Sequence, residues 1–119
     1  MTKTIILYGI ANCDTVRKAR TWLTQRGVAH RFHDFSRQGL PADGVVRWIA
    51  ATGWEPLLNR KGTTWRTLDP VTRAGVVDAP SAVAVMQLNP SVVKRPVVEW
   101  SPGITVGFDP AEWDRLAGR

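Results

Sequence analysis

The first third of the chain alternates in a way that leaves few folds open. Thr4-Ile-Ile-Leu-Tyr8 is a short apolar run of β type. Val16, Ala19, Trp22 and Leu23 then recur at helical spacing up to Gly27, a good helix terminator, and Val28 to Phe35 reads as a second strand. The pattern predicts a strand at 4–8, a helix over 14–26 and a strand over 28–35. Two strands joined by one helix are most economically parallel.

Cys13 stands where that helix begins, and it is the single cysteine among 119 residues. A sulfur at a helix N-terminus meets unpaired backbone N–H groups and the positive end of the helix dipole, both of which favour thiolate over thiol. The thiolate is the nucleophile, so the placement points to covalent sulfur chemistry. The competing reading is a small buried apolar residue, the common fate of a lone cysteine. Asn12 or Asp14 is the expected cap, since either side chain can accept from the first free amides. One cysteine cannot close an internal disulfide, no signal-peptide pattern follows Met1, and no apolar run approaches membrane-spanning length. The cytoplasm is therefore the expected compartment and no membrane role is expected.

The middle of the chain changes character. Pro41, Val45, Val46, Trp48 and Ile49 predict a helix over 41–51 ending near Thr52-Gly53. A short helix is expected over Glu55 to Asn59, then a loop from Arg60 to Thr64, then helical stretches near 69–75 and 80–88 bracketed by Pro70, Pro80 and Pro90. The chain then returns to strands. Val97-Val-Glu-Trp100 and Ile104-Thr-Val106 flank Ser101-Pro-Gly103 and predict a hairpin, and Pro110 opens a last helix carrying Trp113 and Leu116. The order β-α-β, helices, β-β-α is a thioredoxin-like α/β arrangement with an all-helical insertion over about 40–90. One domain spanning 1–119 is expected.

Several segments together resemble one family. They are Leu7-Tyr-Gly-Ile-Ala-Asn-Cys-Asp-Thr-Val-Arg-Lys-Ala19, Arg31-Phe-His-Asp34, Gly53-Trp with Leu57-Leu-Asn, Gly62-Thr-Thr-Trp-Arg66, Lys94-Arg-Pro96 and Val106-Gly-Phe108. This resembles the arsenate reductase (ArsC) family of the thioredoxin superfamily, in its YffB-like branch, with the Spx regulators as a neighbouring branch. The resemblance implies an oxidoreductase, a thiol or oxyanion reductase with Cys13 as nucleophile. It implies Arg95 as an oxyanion-binding arginine, and Pro96 as a structural cis proline beside the cysteine. Arginine suits that role because it stays charged and offers a planar fork of donors. The sequence departs from the arsenate reductases at three places. Gly9 stands where they carry a histidine, Asn59 where they carry an arginine, and Gly107 near a third arginine. Arg60 and Lys61 follow Asn59 directly and are the candidates to take over its charge. With Val16 where a Cys-x-x-Cys would need its second sulfur, turnover needs an outside thiol. Glutathione is the expected co-substrate, with glutathione itself or a glutaredoxin-type protein as reductant and a small oxyanion or a thiol/disulfide as substrate.

The candidate site is thus Cys13 as catalytic residue, with Arg60, Arg95 and Asn12 in substrate binding and Arg17 and Lys61 as further candidates. Arg17, one turn beyond the cysteine, either approaches the sulfur or turns to solvent. His30 and His33 lie three apart in a strand and face opposite sides, so they do not jointly hold a metal, and no tightly bound cofactor is expected. The six tryptophans read as core packing, with Trp22, Trp48 and Trp113 on apolar helical faces. A net charge of +6 would draw anions, but the basic residues are scattered and carry no nucleic-acid motif, so nucleic acid is not an expected partner. An Spx-like regulator that grips RNA polymerase without catalysis is the alternative to an enzyme.

Overall fold

The computed structural model describes residues 4–100 and 103–117. The chain divides into two compact units, one of residues 1–35 and 95–119 and one of residues 36–94. The first unit holds a four-stranded sheet. Strands β1 (Ile5–Gly9), β2 (His30–Asp34), β3 (Val97–Glu99) and β4 (Ile104–Val106) lie in the order β2-β1-β3-β4. β1 runs parallel to β2 in the register Tyr8 opposite His33, and antiparallel to β3 with Tyr8 opposite Val97. β3 and β4 form the expected hairpin, closed by the Trp100 N–H donating to the Gly103 carbonyl at 2.8 Å. Ser101 and Pro102 of its expected turn lie outside the described residues. This is the thioredoxin-like α/β class that the order of elements predicted.

Helix α1 (Asp14–Gln25) makes the crossover between β1 and β2 and buries Val16, Ala19 and Leu23. Its C-terminal turn is tighter than the periodicity implied: Gly27 takes φ +69° and the Val28 amide reaches back to Leu23 O at 2.9 Å. That bond keeps Val28 and Ala29 out of β2, which begins at His30, and Phe35 already starts the short helix α2 (Phe35–Gln38). The core of this unit is aliphatic under the sheet and aromatic at one end. Leu7, Val16, Ala19, Leu23, Val28 and Val98 pack with Trp100 and Trp113, and Cys13, Trp22, Phe32 and Phe108 lie against them partly buried. Trp113, on the last helix α7 (Pro110–Leu116), meets Phe108 at 4.7 Å, Trp100 at 5.0 Å and Trp22 at 5.6 Å between ring centroids, all edge-on. Each such pair adds about 0.5–1.5 kcal/mol beyond area burial. Arg26 fastens α1 to α7, pairing with Asp114 at 2.7 Å while lying over the Trp22 ring.

The second unit is helical between Ser36 and Lys94. It contains α3 (Ala42–Thr52), α4 (Thr63–Thr67), α5 (Pro70–Ala74), α6 (Ala79–Leu88) and a 3-10 turn over Pro90–Val92. Two expectations for this unit are corrected. Residues 55–59 form no helix but a turn leading into an isolated antiparallel bridge between Leu58 and Val93. The amide of Asn59 donates to Val92 O and that of Lys94 to Leu57 O, so the chain is extended there. The supposed loop becomes helical from Thr63, with Thr67 Oγ1 donating back to the carbonyls of Thr63 and Thr64. Trp48, Val45, Leu57, Met86, Val92 and Val93 are buried in this unit.

Candidate functional site

β1 ends at Gly9 and the chain turns through Ile10 to Asn12, with the Cys13 amide donating to Ile10 O at 3.1 Å. Cys13 then takes an extended conformation, φ −94° and ψ 125°, and is itself the N-cap residue of α1. The capping expectation is corrected here: neither Asn12 nor Asp14 closes this end, and no side-chain oxygen bonds to it. The Val16 and Thr15 amides face the Cys13 sulfur instead.

Cys13 is half-buried. Burial is the largest single influence on its thiol and pushes the pKa up. Four favourable interactions together outweigh it: the Val16 N–H, the Arg95 hydrogen bond and charge, and the Thr15 N–H. The net result is a thiol held below its ordinary value, the direction a nucleophile requires.

Arg95 reaches the sulfur because of the sheet. In the antiparallel register Tyr8 lies opposite Val97, so the residues just before β3 sit beside the exit of β1. Arg95 is half-buried there and the Arg95–Pro96 peptide bond is cis. The Pro96 carbonyl accepts from the Gly107 amide at 2.8 Å, extending the β3–β4 ladder by one bond.

Asn12 is exposed in the turn before the cysteine. Arg17 is exposed and its Nη2 pairs with Asp14, also exposed, an ion pair that the two expected orientations, towards the sulfur or towards solvent, did not include. Arg60 and Lys61 belong to the second unit, where both are exposed, and the Arg60 guanidinium lies over the rings of Trp54 at 5.8 Å and Trp65 at 6.0 Å. His30 Nδ1 is 2.9 Å from Val28 O, and the His33 ring lies 5.1 Å from that of Tyr8, tilted by 48°. Among the described residues no group of three or more His, Cys, Asp or Glu could hold a metal ion.

Three residues contribute in ways the sequence did not mark. Val16 and Thr15 act through their amides, which every residue type but proline carries; only their position after the helix start could have marked them. Gly9, noted only as a departure from the family, is the third. A Cβ built on it would lie 2.7 Å from Val16 Cγ2 and 3.0 Å from Val16 Cγ1, and Val16 is fully buried. Only glycine lets β1 approach α1 this closely, so a histidine at position 9 is incompatible with this packing. At Gly107 φ is +91°, a backbone region that disfavours any arginine there. Two of the three departures from the arsenate reductases thus have local causes, side-chain packing at Gly9 and backbone conformation at Gly107.

Comparison with known proteins bears on the family and the fold. The profile of the ArsC family matches residues 8–116. A solved structure described as YFFB protein is 42% identical, superposes with a TM-score of 0.91, and the match covers 97% of this chain and 100% of that one. The solution structure of an arsenate reductase (ArsC) related protein from Brucella melitensis is 43% identical with a TM-score of 0.74, covering 100% of this chain and 98% of that one. The global transcriptional regulator Spx of Streptococcus mutans is a more distant relative, 23% identical over 110 residues, 91% of this chain and 79% of that protein. Among the described residues no helix is long and apolar enough to cross a membrane. The chain belongs to the ArsC family, in its YffB-like branch, with the Spx regulators as distant relatives.

Proposed function

We propose that this protein is a glutathione-dependent thiol reductase in which Cys13 is the nucleophile and Arg95 the charge partner. The observation that carries the reading is the Cys13 sulfur at the N-cap of α1, faced by the amides of Val16 and Thr15 and by Arg95. The thiolate attacks the glutathione sulfur of a mixed disulfide. A Cys13–glutathione disulfide forms, the original S–S bond breaks, and the released thiolate takes the electron pair. A second glutathione thiolate then attacks the glutathione sulfur held by Cys13, yielding oxidised glutathione and the free Cys13 thiolate. With one cysteine in the chain, no internal sulfur competes for that second step. An oxyanion in place of the disulfide would use the same two groups, but Gly9 and Gly107 leave the arsenate cage incomplete, which favours disulfide substrates.

The Spx relatives support a second reading, a regulator without catalysis. Its usual oxidation switch needs a second sulfur where this chain has Val16, so the reductase reading is preferred.

Incubation with oxidised glutathione followed by intact-mass measurement tests the proposal. One glutathione should add to the wild-type chain and none to Cys13→Ser, which should stay folded. Absence of the adduct, together with an ordinary thiol pH profile for alkylation of Cys13, would overturn it. A glutathione titration followed residue by residue in NMR reads out Arg60 and Lys61 independently of Arg95.

A further inference from the structure

The outward face of α1 is a ridge between two open troughs. One, of about 350 Å³, is lined by Arg17, Arg20, Thr21, Thr24, Gln25 and His30. The other, of about 400 Å³, shares Arg17, Thr21 and Gln25, and adds Lys18 and the apolar walls Trp22, Phe108 and Pro110. Neither trough has an aspartate or glutamate in its lining. Arg20 is not a loose surface cation: its guanidinium lies 4.0 Å from the centroid of the Phe32 ring, which fixes it at the mouth of the first trough. Arg17 gives one nitrogen to Asp14, the one carboxylate beside the ridge in the first turn of α1. Both troughs include Arg17, four residues and about one helical turn after Cys13 in the sequence. They run on to Gln25, about 12 Å further along the helix at 1.5 Å per residue.

We infer that the α1 face is a docking surface for an acidic polypeptide segment whose cysteine is presented to Cys13. Acidic side chains would lie along Arg17, Arg20 and His30, and an apolar one against Trp22 and Phe108. The inference rests on the reductase reading and deepens it: the disulfide to be reduced is carried by a protein chain of negative charge. Positive side chains at the rim of such a surface act chiefly on the encounter rate, in a salt-dependent way.

The test uses two peptides, each with one central cysteine activated as its thionitrobenzoate disulfide, one flanked by glutamates and a leucine and the other by lysines and a leucine. Cys13 attacks the peptide sulfur, the new disulfide forms, and thionitrobenzoate leaves as a thiolate with the electron pair, which gives the signal. The acidic peptide should react on the order of tenfold faster at low salt, and high salt should abolish the difference. Arg20→Gln and Thr24→Glu should each cut the preference several-fold. Arg20→Lys and Arg115→Gln, which removes an exposed charge on α7, should not. Equal rates for the two peptides, or a preference untouched by both groove variants, would overturn the docking surface while an adduct with oxidised glutathione leaves the reductase reading standing. If neither peptide nor oxidised glutathione modifies Cys13, both fall together.

Discussion

Two helix starts in this molecule solve the same problem in opposite ways. At the start of α6, Asp78 and Ser81 form a full capping box: the Ser81 amide donates to Asp78 Oδ1 at 3.0 Å and the Asp78 amide to Ser81 Oγ at 3.1 Å. α5 and α7 are closed by Asp69 and Asp109 in the simpler manner. At the start of α1 the corresponding residue is Cys13, and no oxygen satisfies the amides. A carboxylate takes up the donors permanently and yields stability; a sulfur leaves them for a charge that comes and goes. The difference leaves the α1 end, unlike that of α6, without a side-chain oxygen from its N-cap residue.

The strongest way to break the comparison is to make the two ends alike. Cys13→Asp should abolish all thiol chemistry while raising stability by about 1 kcal/mol, the usual worth of a good cap, measured by denaturant unfolding. A less stable variant would mean that the sulfur is the better acceptor, contrary to the comparison. Arg95→Gln should lower turnover by about a hundredfold, the scale seen when one donor to a developing anion is removed. Because thiolate is the reactive form, alkylation of wild-type Cys13 should rise with pH and level off below the range of a free thiol. The Arg95→Gln curve should move to higher pH, since its hydrogen bond and charge both lower the thiol's pKa. An unmoved curve would leave the amides as the whole cause.

Gly9→Ala should cost roughly 1–3 kcal/mol through overpacking against Val16, whose β-branched side chain has little room to turn. Its alkylation profile shows whether the Val16 amide has lost its aim at the sulfur. The smallest effect belongs to the α6 end. Asp78 is fully exposed, and bonding to Ser81 holds its carboxyl below the usual range. Its contribution should therefore be complete above the ordinary carboxylate pKa and fade as pH falls through the lowered one. Asp78→Ala should reduce Tm slightly at neutral pH, lose that difference in acid, and leave Cys13 reactivity untouched.

What could be read from the chain beforehand followed the strength of its periodicities. The β-α-β start, the hairpin and the helix at Pro110 were legible because apolar spacing and turn residues agree there. The expected helix at 55–59 and the expected loop end at 63–64 were misread: the first is drawn out by its bridge to Val93, and Thr63-Thr-Trp-Arg-Thr67 has no apolar stripe, its short helix being supported by the Thr67 hydroxyl, which a pattern does not record. The site was half legible. The sulfur and the Arg-Pro pair stand out by residue type, whereas the amides of Thr15 and Val16 and the tight passage at Gly9 are properties of backbone geometry. Arg17 shows the limit of spacing arguments, since the side chain one turn from the sulfur turned to a neighbouring carboxylate.

Three of the six tryptophans, Trp22, Trp100 and Trp113, belong to or pack against the same core cluster that Cys13 packs against. Intrinsic fluorescence should therefore respond whenever a group is attached to or removed from the sulfur. A stopped-flow fluorescence trace on mixing with oxidised glutathione would then time the proposed attachment without a label.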